Sequence, residues 1–215
     1  MKTPLGVVPL KNRISGKYEE AALFQGIDTD NLAHIEGRWR PMFDQRKLEA
    51  KVSGESLSDI NAEDEHWQWG IKAVAAIRDP LIFEIFVLEC AGNTQAIMLV
   101  RKGGEKCFSR HSDHPRAPLI YVDFLSTAPW SRPKLVSEPV YKGCGRALFS
   151  TAVSLSFEEE MKGIVALHSL PKAEEFYRDQ VGMADFGKDK DYSGLRYFEL
   201  PATKAAEMFD NNTQH

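Results

Sequence analysis

Cysteine is scarce in this 215-residue chain, with three residues, Cys90, Cys107 and Cys144. Their wide, irregular spacing suits neither a disulfide framework nor a zinc site, so they read as reduced thiols and no metal is expected. Long apolar runs are missing: none approaches the ~18–20 residues that a bilayer-spanning helix needs. The start, MKTPLGVVPLKNRISGKYEE, lacks the apolar stretch and small-residue cleavage site of a secretory signal. The expectation is a cytoplasmic protein with no membrane association. Basic charge is not in excess either. Lys+Arg number 27 against 31 Asp+Glu, a net charge of −4, which argues against a nucleic-acid partner. An acidic balance mildly favours a cationic substrate through long-range attraction. What is present, 43% hydrophobic and 27% charged residues, is enough for a soluble globular core.

The first sixty residues carry weak signals. GVVPL reads as a short strand limited by Pro9. DTDNLAHIEGRWRPMFDQRKLEAKV reads as helical patches interrupted by Gly37 and Pro41, and SGESLSD as a turn-rich linker. From residue 61 the pattern sharpens. NAEDEHWQWGIKAVAAIR predicts a helix capped by Asn61, with acidic residues in its first turn and Trp67, Ile71, Val74 and Ala75 at helical spacing. LIFEIFVLE, CAGN and TQAIMLVR predict two paired strands and a turn. LIYVDFLST is an alternating strand closed by Pro129 and Pro133. GIVALHS is a short apolar strand, LPKAEEFYRDQVGM a helix with Pro171 in its first turn, and LRYFEL a last strand. The order implies an α/β fold with a mixed sheet and a crossover helix. It also implies an N-terminal extension (1–60), a main domain (61–201) and a polar tail (202–215).

The crossover helix is preceded by small residues at alternate positions, Gly143, Gly145 and Ala147, in EPVYKGCGRALF. A helix N-terminus leaves backbone N–H groups unpaired and carries partial positive charge. Small side chains would let an anion reach the amides of Gly143, Cys144, Gly145, Arg146 and Ala147, with Lys142 and Arg146 adding charge. An isolated tight turn would look the same. No Gly-Lys-Ser/Thr follows, and the third small residue comes too soon for the dinucleotide fingerprint.

YKGCGRALF resembles motif A of the GCN5-related N-acetyltransferases (GNAT), Gln/Arg-x-x-Gly-x-Gly/Ala, with Lys142, Gly145 and Ala147 at the basic, glycine and last small positions. LIYVDFLSTAPWSR is similar to the family's fourth strand, GIVALHS to its fifth. KAEEFYRDQVGM is similar to the A-x-x-F-Y-x-x-x-G-F signature, with Ala173, Phe176, Tyr177 and Gly182 in place. The resemblance covers about residues 61 to 200 and implies a GNAT fold with a splayed fourth strand and flanking helices. It also implies acetyl-CoA as co-substrate, gripped at its pyrophosphate by the loop amides, and a bacterial acetyltransferase working by direct transfer in a ternary complex. Two departures stand out. Leu170 occupies the place of the family's Asn, so Ser169 would have to supply that contact, and about ten extra residues around PKLVSEPV separate the fourth strand from the loop.

Acetyl transfer to an amine needs a proton acceptor, a stabilised carbonyl oxygen and a proton for the departing thiolate. The resemblance implies Asp123 as base, with Glu84 on the preceding strand as its alternative, although a strand acid is often simply salt-bridged, for instance to Arg101, Arg116 or Arg132. The carbonyl would meet backbone N–H groups of Leu125, Ser126 or Thr127, and Tyr177 would be the acid, its phenol being protonated at neutral pH. His168 reads as a structural histidine, Cys144 as a small filler, and His111, His114 and Asp113 lack a further metal ligand. Trp130 falls near the acceptor. The expected acceptor is a primary amine on a small molecule, a lysine or an N-terminus, and a homodimer is allowed. The alternative left open is a degenerate member that binds CoA or a partner protein without turnover.

Overall fold

The computed structural model describes residues 2–56 and 59–212, with only the backbone for 209–212. Residues 57 and 58 of the turn-rich stretch and 213–215 of the tail lie outside the described residues. In chain order the elements are β1 (Thr3–Asn12), β2 (Tyr18–Gln25), α1 (Thr29–His34), α2 (Arg40–Ser53), α3 (Trp69–Arg78), β3 (Phe83–Cys90) and β4 (Asn93–Arg101). There follow β5 (Ile120–Thr127), β6 (Tyr141–Lys142), α4 (Cys144–Glu158), β7 (Val165–Ser169), β8 (Ala184–Lys188), β9 (Arg196–Leu200) and α5 (Ala202–Asn212). The strands make one mixed sheet in the order β6-β1-β2-β3-β4-β5-β7-β9-β8, which is the α/β architecture expected from the order of elements. Two compact units share it. Met1–Arg78, Ile85–Met98 and Leu125–Leu148 form the first, and Asp79–Glu84, Leu99–Phe124 and Phe149–His215 the second.

In the first unit β1 and β2 pair antiparallel along most of their length, with a register shift between Pro4 and Gly6. Pro9 does not shorten the strand as expected. β1 meets β6 only at Lys11 and Asn12, so a missing proline N–H near the sheet edge costs no ladder bond. The helical patches are also a correction. Thr29 to Ser53 is one helical run in which Ile35–Trp39 widens to a π turn. Pro41 would clash with the Gly37 carbonyl of a regular helix, and the wider turn accommodates it. Asp28 and Asn31 form a reciprocal capping box at the start, and left-handed Gly54 ends the run.

The next helix starts at Trp69, eight residues after the expected cap at Asn61. Residues 63–66 form turns instead, because Asp64 faces inward to a buried arginine. Its buried side is Trp69 and Ala73, while Ile71 and Val74 are exposed. β3 and β4 are joined through Ala91 and Gly92, both at positive φ, as a two-residue hairpin requires. Val87, Leu88, Ala96, Ile97 and Met98 of this pair are fully buried.

In the second unit β7 runs parallel to β5 and antiparallel to β9, and β8 closes the edge. The β5–β7 ladder covers only Ile120–Val122 against Val165–Leu167. Both strands continue beyond it, β5 by five residues and β7 by two, which is the expected splay. The segment predicted as a helix from Pro171 is helical but irregular, a 3-10 turn at Pro171–Ala173 followed by π-helical Phe176–Val181. Residues 202–212, read as tail, form α5. Its Ala205 is buried against Gly163, where an added Cβ would come within 2.6 Å of the Ala205 Cβ.

Candidate active site

The turn before α4 is built from the sheet outward. β6 pairs with β1, and the Tyr141 hydroxyl donates to Glu19 Oε2 at 2.6 Å. Gly143 follows at φ 107, a conformation that favours glycine, and its carbonyl accepts from the Ala147 amide at 2.9 Å. The Ala147 amide is thus engaged in the helix. The amides of Cys144, Gly145 and Arg146 come before that first helical bond. Gly145 differs from Gly143. Its φ is outside the left-handed range, and a Cβ added there would touch only Leu125 Cδ2 and Thr127 Cγ2, each at 3.8 Å, ordinary contact distances. The protein's own packing does not account for a glycine at that position. Lys142 and Arg146 are exposed. Cys144 is buried, and burial pushes its thiol up to about 12, so it is a filler and not a nucleophile.

The end of β5 is held by a group that sequence reasoning missed. Arg132 donates to both carboxylate oxygens of Asp64, to Ser126 Oγ at 2.9 Å and to the Thr127 carbonyl at 2.8 Å. Ser126 Oγ donates to Asp64 Oδ2 at 2.5 Å, and Arg132 lies over the Phe43 ring at 5.0 Å. Both partners are buried. Burial pushes the Asp64 carboxyl up, but Arg132 and Ser126 pull it below its ordinary value. The Ser126 side chain therefore faces inward, and only its backbone could serve a ligand. Trp130 donates to Gln95 Oε1 at 2.8 Å and sits edge-on to Trp39. In the same unit α2 and the inserted segment line an open cavity of about 810 Å³, with Met42, Arg46, Glu49, Lys134 and Leu135 among its walls.

The remaining expected residues belong to the second unit. Tyr177 lies in the π-helical turn, buried against the rings of Phe149, Phe176 and Phe198. Burial pushes its phenol well above the ordinary range, so at physiological pH it can donate a proton but not accept one. Asp123 accepts from Arg101 Nε at 2.9 Å and lies 3.5 Å from Lys106 Nζ. Glu84 lies 3.4 Å from Lys102 Nζ. Burial pushes its carboxyl up, against the pull of Lys102. Ser169 is buried and its hydroxyl donates to the Leu170 carbonyl at 2.9 Å. His111 and His114 stack on each other at 4.9 Å, and no group of three or more metal-ligand side chains occurs among the described residues. No helix of the described residues is long and apolar enough to cross a membrane.

No family model and no curated protein matches the sequence. Solved structures do. A Desulfovibrio desulfuricans protein assigned to the GNAT acetyltransferase family matches with a TM-score of 0.50 at 9% identity, over 85% of this chain and 99% of that one. The chain has the GNAT fold. RimJ of Mycobacterium smegmatis, solved with CoA-disulfide, is similar with a TM-score of 0.48 at 12% identity, over 98% of this chain and 97% of that one. A Corynebacterium glutamicum structure titled histone acetyltransferase HPA2 and related acetyltransferase gives 0.47 at 14% identity, over 83% and 94%. With the GNAT order of strands in place, β5 is the splayed strand, β7 its parallel neighbour and α4 the crossover helix between them.

Proposed function

We propose that this chain transfers an acetyl group from acetyl-CoA to a primary amine. The observation that carries the reading is Gly145, a glycine in the first turn of α4 that neither backbone conformation nor packing demands. A pyrophosphate lying against the amides of Cys144, Gly145 and Arg146 would demand it, since a side chain would occupy that space. Lys142 and Arg146, both exposed beside the turn, supply charge to hold a phosphate in water. These residues fit acetyl-CoA, and the thioester supplies the activated acetyl group.

In this proposal the backbone of Leu125, Ser126 and Thr127 meets the pantetheine arm and the carbonyl oxygen. Arg132 holds that stretch in place by capturing the Thr127 carbonyl and Ser126 Oγ. Tyr177, whose phenol burial keeps protonated at neutral pH, gives its proton to the departing thiolate as the C–S bond breaks. Asp123 and Glu84 hold Arg101, Lys106 and Lys102 and are not free bases. The Ser169 hydroxyl, turned to its own chain, leaves only its backbone for the cofactor. The test is thiol release from acetyl-CoA across a panel of small-molecule and peptide amines. Amine-dependent release supports the reading. Tight acetyl-CoA binding with no release for any amine would favour a binding protein without turnover.

A further inference from the structure

Tyr121, on β5, and His168, on β7, meet where the parallel ladder ends. The last pair of that ladder is Val122 with Leu167, one residue from each. The Tyr121 hydroxyl lies 2.5 Å from His168 Nδ1, and His168 Nε2 lies 3.0 Å from Asp189 Oδ2. Asp189 also accepts from Arg110 at 2.7 Å, and its carboxyl is pulled down to about 2 by Arg110 and His168. An ionised Asp189 can only accept, so Nε2 carries the hydrogen. In the neutral imidazole Nδ1 is then bare and accepts the Tyr121 proton. The tautomer is fixed: the phenol donates to the imidazole and the imidazole to the carboxylate, which also accepts from the Arg110 guanidinium.

We propose that Tyr121 and His168 form the proton-accepting pair of the acetyl transfer, with Tyr121 Oη as the contact atom and Asp189 as the residue that positions His168. The proposal rests on the acetyl-CoA reading above. The acceptor arrives as an ammonium. It gives one proton to Tyr121 Oη as Tyr121 passes its own proton to His168 Nδ1. The nitrogen lone pair then forms the C–N bond, and the C–S bond breaks with its electrons on sulfur. The adduct nitrogen loses its second proton to solvent, and Tyr177, having given its proton to the thiolate, regains one from solvent. His168 later returns its proton to solvent through Tyr121, so the net change is acetyl-CoA plus ammonium to amide, thiol and one proton.

Several features of this cluster suit a relay. Burial pushes the Tyr121 phenol far up, so it cannot hold a negative charge alone and needs the imidazole behind it. His168 is pulled below its ordinary value, chiefly by burial and against Asp189, and is therefore neutral at pH 7. The groups facing it are Tyr121, Asp189, Tyr192 stacked at 3.9 Å, Tyr197 at 5.1 Å, and the cations of Lys106 and Arg110. Lys106 lies 5.0 Å from the Tyr121 ring and 4.7 Å from that of Tyr192. A second cation placed there is under pressure to shed its proton. Tyr121 is itself buried, and in this proposal the acceptor displaces the half-buried Lys106 and Tyr192, both on connecting segments, to reach it. Asp123, by contrast, is already engaged by Arg101 and Lys106.

The test is the pH dependence of kcat/KM for an alkylamine with a pKa near ~10.4. With the relay, the wild-type protein uses the ammonium form, and kcat/KM is level from about pH 7 to 9, with an acid limb set by His168, which burial holds below its ordinary value. Tyr121→Phe and His168→Gln should lose about 10²-fold at pH 7 and rise tenfold per pH unit instead, while acetyl-CoA affinity is unchanged. Variants that fold and keep the level profile overturn the proposal. If either variant fails to fold, the wild-type profile decides alone: a tenfold rise per unit from pH 6 to 9 overturns it. A wild-type protein that neither binds acetyl-CoA nor releases thiol refutes the acyl-transfer reading itself, and the relay falls with it.

Discussion

Replacing Arg132 by Met leaves a carboxylate buried without its cation. Arg132 and Asp64 are 7% and 5% exposed at their side chains, so water cannot make up the loss. Removing one partner of such a pair costs about 3–5 kcal/mol. For a chain of this size that is a fall in Tm of roughly 6–20 °C near neutral pH. The pH dependence separates this cause from lost packing against Phe43. In the wild-type protein the Asp64 carboxyl is below its ordinary value, so its stabilising contribution is present above pH ~4 and is lost as pH falls through the folded-state value. In Arg132→Met burial is left as the main influence and the carboxyl rises above ~4. Stability of the variant then falls as pH rises, the opposite slope. Thermal unfolding of both proteins should show a gap in Tm that is large at pH 7.5 and narrows towards pH 4.5. A gap under ~2 °C at neutral pH, or one of equal size at both, would refute the argument.

Three further outcomes are expected. Gly145→Glu puts a carboxylate where the pyrophosphate is placed and should abolish acetyl-CoA binding in calorimetry with little change in Tm; unchanged affinity removes the turn from the site. Tyr177→Phe keeps the ring packed on Phe149 and Phe198 and should lower kcat by ~10-fold or more with acetyl-CoA affinity preserved, whereas equal kcat makes it a packing residue. The thiols of Cys107 and Cys144 are pushed up to about 11 and about 12 by burial, so mass spectrometry should find both unmodified after iodoacetamide treatment of the native protein at pH 8, and labelling at either would contradict the packing around it.

The sheet's central and C-terminal strands were legible because LIFEIFVLE, TQAIMLVR, LIYVDFLST, GIVALHS and LRYFEL are compact apolar runs bounded by turns. β1 and β2 were harder. TPLGVVPLKN carries two prolines and a glycine, and YEEAALFQ breaks the alternation with Glu20 and Ala21, both tolerated near a sheet edge. β6 and β8 are short and carry no period at all. The helix at Asn61 was misplaced for a long-range reason: Asp64 pairs with Arg132, 68 residues on, and local capping signals cannot anticipate such a partner. The same applies to Tyr121 and His168, 47 residues apart. The glycine turn was legible as a pattern, but its meaning lies in the distinction between Gly143, which the backbone requires, and Gly145, which it does not.

A crystal structure of the protein grown with acetyl-CoA is the most direct measurement of the central claim. The account predicts the pyrophosphate within hydrogen-bonding distance of the amides of Cys144, Gly145 and Arg146, against the bare Cα of Gly145. Acetyl-CoA bound elsewhere, with that turn left to solvent, would contradict it.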